Sequence, residues 1–279
     1  MQKNLVLESL RRWIGITDGG EPPSAARPDP EPSAISPYAI SWDQYVKDIK
    51  PKDGQWPGDE WGNEEFWQLT FKRMFVEQGA EHWRHSVEIG AGSGKYTQYL
   101  LDHSATDIVA FDISPEFLNV LRTRLAEPIR AGRLIPELLR AEKCSEMHDW
   151  IRQRGWLRQV DAFYSIDAMV HVDLQYLIAY IATAALVLRP GGKLIMSLAD
   201  ATTDGGFRYL LDGIKPYYAM QSRTGGKFEF MSRDLICSVL ERVGFVVQFI
   251  PELSERDAYF VATLSDLSPA NILERALLD

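Results

Sequence analysis

The sequence predicts an α/β protein whose core is a doubly wound, mainly parallel sheet that ends in an antiparallel hairpin. Two observations indicate this architecture. From Ser86 to Ala199, short apolar runs alternate with helical segments through short links, which is the pattern of parallel strands joined by crossover helices. Beyond Gly244, the apolar runs Phe245–Ile250 and Ala258–Leu264 follow each other across a short polar loop, so they predict the hairpin.

Composition and charge limit the classes of protein that this chain can belong to. Its 279 residues suit one large domain with extensions. The formal net charge of −9 disfavours a protein whose main function is to bind the nucleic-acid backbone. The longest plainly apolar stretch, Tyr176–Leu188, is too short to span a membrane, and no secretory signal precedes Arg11. The two cysteines lie in unlike contexts and favour a reducing compartment. We therefore expect a soluble, cytoplasmic protein with no nucleic-acid or membrane partner.

Three segments lie outside the predicted core. Residues 1–37 are predicted to form a short amphipathic helix followed by a proline-rich, acidic tether. Residues 38–83 carry an unusual aromatic load, which is typical of a helical cap packed on the sheet or of a lid over a bound ligand. Residues 266–279 are predicted as a last helix. The two terminal helices could join copies of the chain in a homo-oligomer.

The predicted core covers residues 84–265, and its elements follow in order. Ser114 is a typical N-cap with Pro115 at the first helical position, so a helix begins there. Arg189-Pro-Gly-Gly predicts a tight turn, because a residue before proline avoids the helical region. Residues 201–231 are predicted as an insertion on the substrate side. The five parallel strands are predicted at Ser86–Ile89, Asp107–Phe111, Leu134–Leu139, Val160–Ile166 and Lys193–Ala199, and helices at 144–158, 174–188 and 232–243.

The most informative motif is Glu88-Ile-Gly90-Ala91-Gly92-Ser-Gly94, at the end of the first predicted strand. Alternating glycines let the backbone approach a ligand closely, since no Cβ is in the way. The following helix offers free N–H groups and the positive end of its dipole, which suit an anionic group such as an amino-acid carboxylate. Asp112 ends the second strand, where an acid meets ribose hydroxyls in nucleotide-binding βαβ units.

These motifs resemble the ordered signature of the class I S-adenosylmethionine-dependent methyltransferases. The glycine motif, Asp112 and Leu188-Arg-Pro-Gly-Gly-Lys-Leu194 occur in that family's order, and the resemblance covers about residues 80–265. It implies a Rossmann-like, doubly wound seven-stranded sheet and S-adenosyl-L-methionine as cofactor. An NAD-linked dehydrogenase would instead need a third glycine at the position of Lys95.

The resemblance also implies roles for individual residues. The three glycines of the motif would pass under the methionine part, Glu88 would organise the loop, and Asp112 would hold the ribose. Glu142 is the candidate contact for the adenine amino group. The full set expected at the cofactor is Glu88, Gly90, Ala91, Gly92, Gly94, Asp112, Ile113, Glu142 and Ile166.

A second group of polar residues, Asp167, His171 and Asp173, follows the fourth strand at the edge that borders the ligand crevice. Methyl transfer needs a positioned acceptor, exclusion of water and removal of one proton. Histidine suits proton removal near neutral pH, so His171 is the candidate general base, and Asp167 could orient it or the acceptor. His171 could equally be a structural hydrogen-bonding residue, and Asp173 only the N-cap of the next helix. A metal bound by all three is possible in principle, but the spacing is not diagnostic and we expect none.

The predicted reaction is methylation of a hydroxyl on a small molecule or saccharide. Two absences favour it: no Asn/Asp-Pro-Pro-Tyr/Phe motif follows the fourth strand, and there is no Pro-Cys nucleophile. Two alternatives stay open, N-methylation of a small amine and a non-catalytic module that binds S-adenosylmethionine and serves in assembly.

Overall fold

The structure is a computed structural model that describes residues 37–50, 52, 54–139, 144–218 and 228–278. The predicted N-terminal helix, the tether and the candidate adenine contact Glu142 lie outside the described residues. Within the described ranges, no helix is both long and apolar enough to cross a membrane.

Seven strands form one sheet at the centre of the molecule. In chain order they are β1 His85–Ile89, β2 Asp107–Asp112, β3 Leu134–Leu138, β4 Val160–Ser165, β5 Leu188–Ala199, β6 Phe245–Ile250 and β7 Asp257–Leu264. Across the sheet their order is β3-β2-β1-β4-β5-β7-β6. The first five strands pair in parallel, whereas β7 runs antiparallel to both β5 and β6. The predicted doubly wound sheet and its C-terminal hairpin are confirmed.

Helices precede the sheet and connect most of its strands. Ser114 caps the helix that follows β2, because its hydroxyl oxygen accepts a hydrogen bond from the Phe117 amide at 3.1 Å, as predicted. The helices are α1 Pro37–Asp48, α2 Glu64–Met74, α3 Lys95–His103, α4 Pro115–Arg124, α5 Ala126–Arg130, α6 Cys144–Gln153, α7 Leu174–Val187, α8 Asp204–Tyr218, α9 Arg233–Arg242 and α10 Ser268–Leu278.

Two predicted element boundaries are wrong. The predicted turn Arg189-Pro-Gly-Gly lies inside β5, since Leu188 already pairs with Val160 before the register shifts in a bulge. Gly191, with φ of 76°, supplies the left-handed conformation that the bulge needs. The helix predicted at 144–158 ends at Gln153, shortly before Gly155 with φ of 74°.

Hydrophobic clusters on the two faces of the sheet explain why the strands are buried. Successive side chains of β2 alternate between them: Val109 belongs to one cluster, and Ile108 and Ala110 to the other. Glu88 of β1 projects into the second cluster, close to Tyr164. Burial on both faces is typical of a parallel sheet with helices on either side.

Candidate functional site

A cavity of about 300 Å³ opens at the carboxyl ends of β1, β2 and β4. This is the edge at which open α/β sheets bind their ligands. Residues that are far apart in sequence meet there, and most of them were predicted. The predicted site residues that line the cavity are Glu88, Gly90, Ala91, Gly92, Asp112, Ile113, Ile166, Asp167 and His171.

The loop after β1 depends on glycines with left-handed backbone. Gly90 has φ of 68° and Gly92 has φ of 55°. A Cβ added to Gly90 would lie 2.3 Å from the Cβ of Ala168, so only glycine fits between the loops that follow β1 and β4. A Cβ on Gly92 would come no closer than 3.7 Å, to the Phe117 ring, so its φ rather than crowding calls for glycine. Glycine at these two positions therefore lets the loop keep this shape where it lines the cavity.

The amide groups of these two glycines donate hydrogen bonds to groups at the end of β2. The Gly90 amide donates to the Phe111 carbonyl at 2.8 Å, and the Gly92 amide donates to Asp112 Oδ2 at 2.8 Å. The end of β2 lies beside the loop and supplies both acceptors. Sequence does not show that the Asp112 side chain turns back onto the loop. Binding of a carboxylate at the loop and at the start of the following helix stays a prediction.

Unlike Gly90 and Gly92, Gly94 does not line the cavity, although the resemblance implied that it passes under the cofactor. Its amide donates to the Ala91 carbonyl at 2.9 Å, and it is the N-cap of α3 with φ of 84°. A Cβ there would lie 2.8 Å from Leu125 Cδ1. The left-handed φ at this cap therefore favours glycine, and an added Cβ would also displace the end of the Leu125 side chain.

Asp112, the last residue of β2, combines a structural role with a place in the cavity wall. Its Oδ2 accepts a hydrogen bond from Gly92, and its Oδ1 accepts one from the Ser114 amide at 2.8 Å. Burial raises the pKa of Asp112 to about 6, although these backbone hydrogen bonds lower it. Each carboxylate oxygen has a second lone pair, so Asp112 can still accept hydrogen bonds from ligand hydroxyls.

Glu88 is buried beneath the glycine loop, with 4% of its surface exposed. Its Oε2 accepts hydrogen bonds from the hydroxyls of Thr97 at 2.5 Å and Tyr164 at 3.0 Å. Burial raises the pKa of Glu88 to about 7, the two hydroxyls lower it, and the nearby Asp112 raises it. A cation in the cavity would favour the ionised form of this side chain.

Asp167 follows β4 with a left-handed φ of 63°, a conformation that aspartate tolerates better than most residues. Its amide donates to Ser197 Oγ at 2.8 Å, and its Oδ1 accepts a hydrogen bond from the Tyr259 hydroxyl at 3.4 Å. Burial raises the pKa of Asp167, the neighbouring Asp257 raises it further, and nearby cations lower it. Strands β5 and β7 thus hold this carboxylate at the cavity wall.

His171 ends a short 3₁₀ helix, Met169–His171, after β4. The centroid of its ring lies 5.1 Å from that of Trp42 and 4.8 Å from that of Phe228. Rings from α1 and from the segment that precedes α9 therefore border the imidazole on the cavity wall. This packing restricts the orientation of the ring.

Asp173 lines the cavity and also caps α7. Its Oδ1 accepts hydrogen bonds from the amides of Gln175 at 3.0 Å and Tyr176 at 3.1 Å, as the N-cap interpretation predicts. Within the part of the chain that the structure describes, no three His, Cys, Asp or Glu side chains are grouped so that they could hold a metal ion.

Aromatic residues from the segment 38–83 cover the cavity. Tyr38 and Trp42 of α1 line it, as do Pro57, Gly58 and Trp61 of the turns that follow. The Trp42 and Trp61 rings pack edge to face with their centroids 5.9 Å apart. This segment therefore forms part of the wall of the site.

Sequence reasoning did not assign several residues to the wall, among them Lys95 and Phe117. Lys95 is the first residue of α3, and burial lowers its pKa to about 8. Phe117 lies in the first turn of α4. Both lie in the first turn of a helix that follows a strand end predicted to bind the ligand, and this position was the available signal.

The comparisons with known proteins identify the class of the domain. Residues 87–194 match the family model described as a methyltransferase domain, a range that includes the glycine loop, Asp112 and His171. This match supports the resemblance to the class I S-adenosylmethionine-dependent methyltransferases, and with it S-adenosyl-L-methionine as the cofactor. No curated protein matches the sequence.

Solved structures share this fold at low sequence identity. An O-methyltransferase family protein from Burkholderia thailandensis is 17% identical with a TM-score of 0.53, over 72% of this chain and 57% of that one. Phosphoethanolamine N-methyltransferase 2 from Haemonchus contortus is 13% identical with a TM-score of 0.53, over 73% and 53%. Magnesium protoporphyrin IX methyltransferase from Synechocystis PCC 6803 is 15% identical with a TM-score of 0.53, over 81% and 94%. The chain spans just over half the length of the first two, and such identities show the fold alone.

Proposed function

We propose that the protein transfers a methyl group from S-adenosylmethionine to a hydroxyl group of a small-molecule or carbohydrate acceptor, with His171 as the general base. One observation carries this proposal: the glycine loop, Asp112 and His171 line the same cavity. The residues suited to bind the cofactor and the histidine suited to remove a proton thus line the same cavity. An in-line displacement requires this proximity.

The residues present fit the cofactor. Gly90 and Gly92, which line the cavity, suit the methionine part, and the remaining lone pairs of Asp112 suit the two ribose hydroxyls. Ile113 and Ile166 offer apolar walls for the adenine. When bound, S-adenosylmethionine supplies a methyl group on a sulfonium, whose carbon–sulfur bond breaks as the acceptor oxygen forms its bond to the methyl carbon.

The protein's own contribution lies in position and proton transfer. A ring nitrogen of His171 accepts the proton of the acceptor hydroxyl and releases it to solvent afterwards. Trp42 and Phe228 hold the imidazole in place, while the rings of the segment 38–83 exclude water. Asp167 accepts a hydrogen bond from the acceptor and so orients it.

A small amine is the second candidate acceptor, and the charge of the cavity favours it. The carboxylates of Glu88, Asp112, Asp167 and Asp173 line the cavity together with Lys95 and several aromatic rings. Such a wall attracts an ammonium group. The amine would have to lose a proton before attack, and His171 would again accept it.

The variant His171→Phe tests the general base, because phenylalanine retains an aromatic ring but cannot take a proton. We would follow the transfer of a labelled methyl group to a panel of saccharides, phenols and primary amines. Turnover on the hydroxyl compounds should fall roughly 10²- to 10⁴-fold, with the affinity for S-adenosylhomocysteine unchanged. His103→Phe is the matched control, since His103 also packs against an aromatic ring but does not line the cavity.

The outcomes separate the candidates. If the labelled methyl group is found only in the amines, a small amine rather than a hydroxyl compound is the acceptor. If His171→Phe turns over as fast as the wild type, His171 is not the general base. Binding of S-adenosylhomocysteine without transfer to any acceptor in the panel would favour the non-catalytic module.

A further inference from the structure

The wall of the cavity includes a turn that comes from outside the methyltransferase core. We call residues 54–62 the cover turn; its Pro57, Gly58 and Trp61 line the cavity. Lys95, at the start of α3, reaches across to it. The ammonium Nζ donates to the Gly58 carbonyl at 2.8 Å and lies 3.4 Å from the Trp61 carbonyl oxygen. One side chain next to the glycine loop thus holds two main-chain carbonyls of the cover turn.

Lys95 also contacts the helix that follows the cover turn. Its Nζ lies 3.9 Å from the centroid of the Trp67 ring in α2, which is a cation–π distance. Carboxylates of the cover turn, Asp59 and Glu60, act on the ammonium from one side, and Asp167 acts on it from the loop after β4. Burial opposes these attractions and lowers the pKa of Lys95 to about 8.

A second connection anchors the same turn. Arg124 Nη1 lies 3.1 Å from Asp59 Oδ1 and 3.2 Å from Ser93 Oγ. Asp59 is buried, with 8% of its surface exposed, and its Oδ2 accepts a hydrogen bond from the Trp56 amide at 3.0 Å. This ion pair connects the base of the cover turn to the glycine loop. Lys95, in contrast, holds the part of the turn that lines the cavity.

We propose that Lys95 is a positioning residue that holds the cover turn closed over the bound cofactor, and thereby sets the rate at which spent cofactor leaves. The inference rests on the proposed function, because it requires that the cavity binds the cofactor. To open the wall at Gly58 and Trp61, the protein must break both carbonyl contacts of the ammonium and its contact with Trp67. Loss of Lys95 should therefore act on cofactor release more than on cofactor entry.

The variant Lys95→Met tests this, since methionine keeps most of the side-chain length but cannot donate a hydrogen bond. Stopped-flow tryptophan fluorescence would give the dissociation rate of S-adenosylhomocysteine, which should rise at least about tenfold, as expected for about 1.4 kcal/mol of lost contact. Lys95→Arg, which keeps the charge and the donors, should stay closer to the wild type than to Lys95→Met. Lys193→Met is the matched control, because Lys193 is partly buried and donates to Thr263 Oγ1 in the sheet.

Hydrogen exchange distinguishes positioning from direct contact with the cofactor. With S-adenosylhomocysteine at saturation, Lys95→Met should speed amide exchange in residues 54–62 and leave β2 unchanged. Faster release without faster exchange in the cover turn would overturn the positioning role in favour of a direct contact, and an unchanged release rate would overturn it outright. If the wild-type protein does not bind S-adenosylhomocysteine at all, the proposed function falls and the inference falls with it.

Discussion

The Asp112 carboxylate accepts hydrogen bonds from the amides of Gly92 and Ser114 and also borders the cavity. In Asp112→Asn, one side-chain oxygen becomes an NH₂ group, which cannot accept from a backbone amide or a ribose hydroxyl. We expect the affinity for S-adenosylhomocysteine to fall about 10- to 100-fold. Quenching of tryptophan fluorescence measures it, since Trp42 and Trp61 line the cavity.

Asp107→Asn is the control for that variant, because Asp107 begins the same strand at its opposite end. Its affinity should equal that of the wild type. Equal affinities for Asp112→Asn and the wild type would show that the ribose is not held by this side chain.

Glu88 predicts an unusual dependence of stability on pH. Its pKa is raised from 4.5 to about 7 in the folded protein, so between these values the folded state binds the proton more tightly than the unfolded state. The free energy of unfolding should therefore decrease as pH rises from about 4.5 to about 7, because burial penalises the charged form. Glu88→Gln removes this contribution. Urea unfolding at pH 5 and pH 8 should show a smaller loss for the variant than for the wild type.

Asp112 contributes to the same slope in both proteins, since its pKa is also raised, to about 6. The comparison therefore concerns the difference between the two curves rather than the slope of either. Parallel curves for Glu88→Gln and the wild type would mean that Glu88 is ionised in the folded protein at pH 5.

Sequence predicted the site residues whose role follows from their place at a strand end. Glu88, Gly90 and Asp112 are of this kind, because the strand ends of a parallel sheet meet at one edge. Lys95 was missed because its partners, in the cover turn, are distant in sequence and belong to irregular backbone. No periodic pattern predicts where such a turn docks.

At the scale of elements, the loops that follow β1 and β4 cross at Gly90 and Ala168. In Gly90→Ala the new Cβ would lie 2.3 Å from the Cβ of Ala168, so the loops must separate. We expect this to cost roughly 1–3 kcal/mol beyond the strain of the left-handed φ. Urea unfolding measures the loss. The double variant Gly90→Ala, Ala168→Gly should recover part of it, because it removes the atom that clashes.

Gly132→Ala separates crowding from backbone strain. Gly132 has φ of 75°, close to the 68° of Gly90, but an added Cβ would meet nothing within 4 Å. It should therefore show the cost of the φ angle alone. Equal destabilisation by Gly90→Ala and Gly132→Ala would contradict the close approach of the two loops.

Five of the strands, β1, β2, β4, β5 and β7, were predictable as elements because most of their residues are buried and they contain apolar runs. Boundaries were less predictable where tertiary pairing overrides local preference. Pro190 and Gly191 indicate a turn in the sequence. In the structure, however, β5 pairs with β4 on both sides of these residues, which form a bulge within the strand. Helix α8 was not predicted either, because it lies in a segment predicted only as an insertion. Its polar, glycine-containing sequence nevertheless forms a helix.

At the scale of the whole molecule, the methyltransferase core and the preceding segment act together. The core supplies the strand ends, and the segment 38–83 supplies α1 and the cover turn that complete the cavity wall. The extent of the domains, the cytoplasmic location and a homo-oligomer formed through the terminal helices stay predictions. The proposed function depends on one claim, namely that this shared cavity holds the cofactor.

A crystal structure of the complete chain grown with S-adenosylhomocysteine tests that claim most directly. We expect the ligand in the cavity, with its ribose hydroxyls bonded to Asp112, its methionine part over Gly90 and Gly92, and the cover turn above it. A ligand bound elsewhere on the protein, or a cavity filled by the protein's own side chains when the ligand is saturating, would contradict the account.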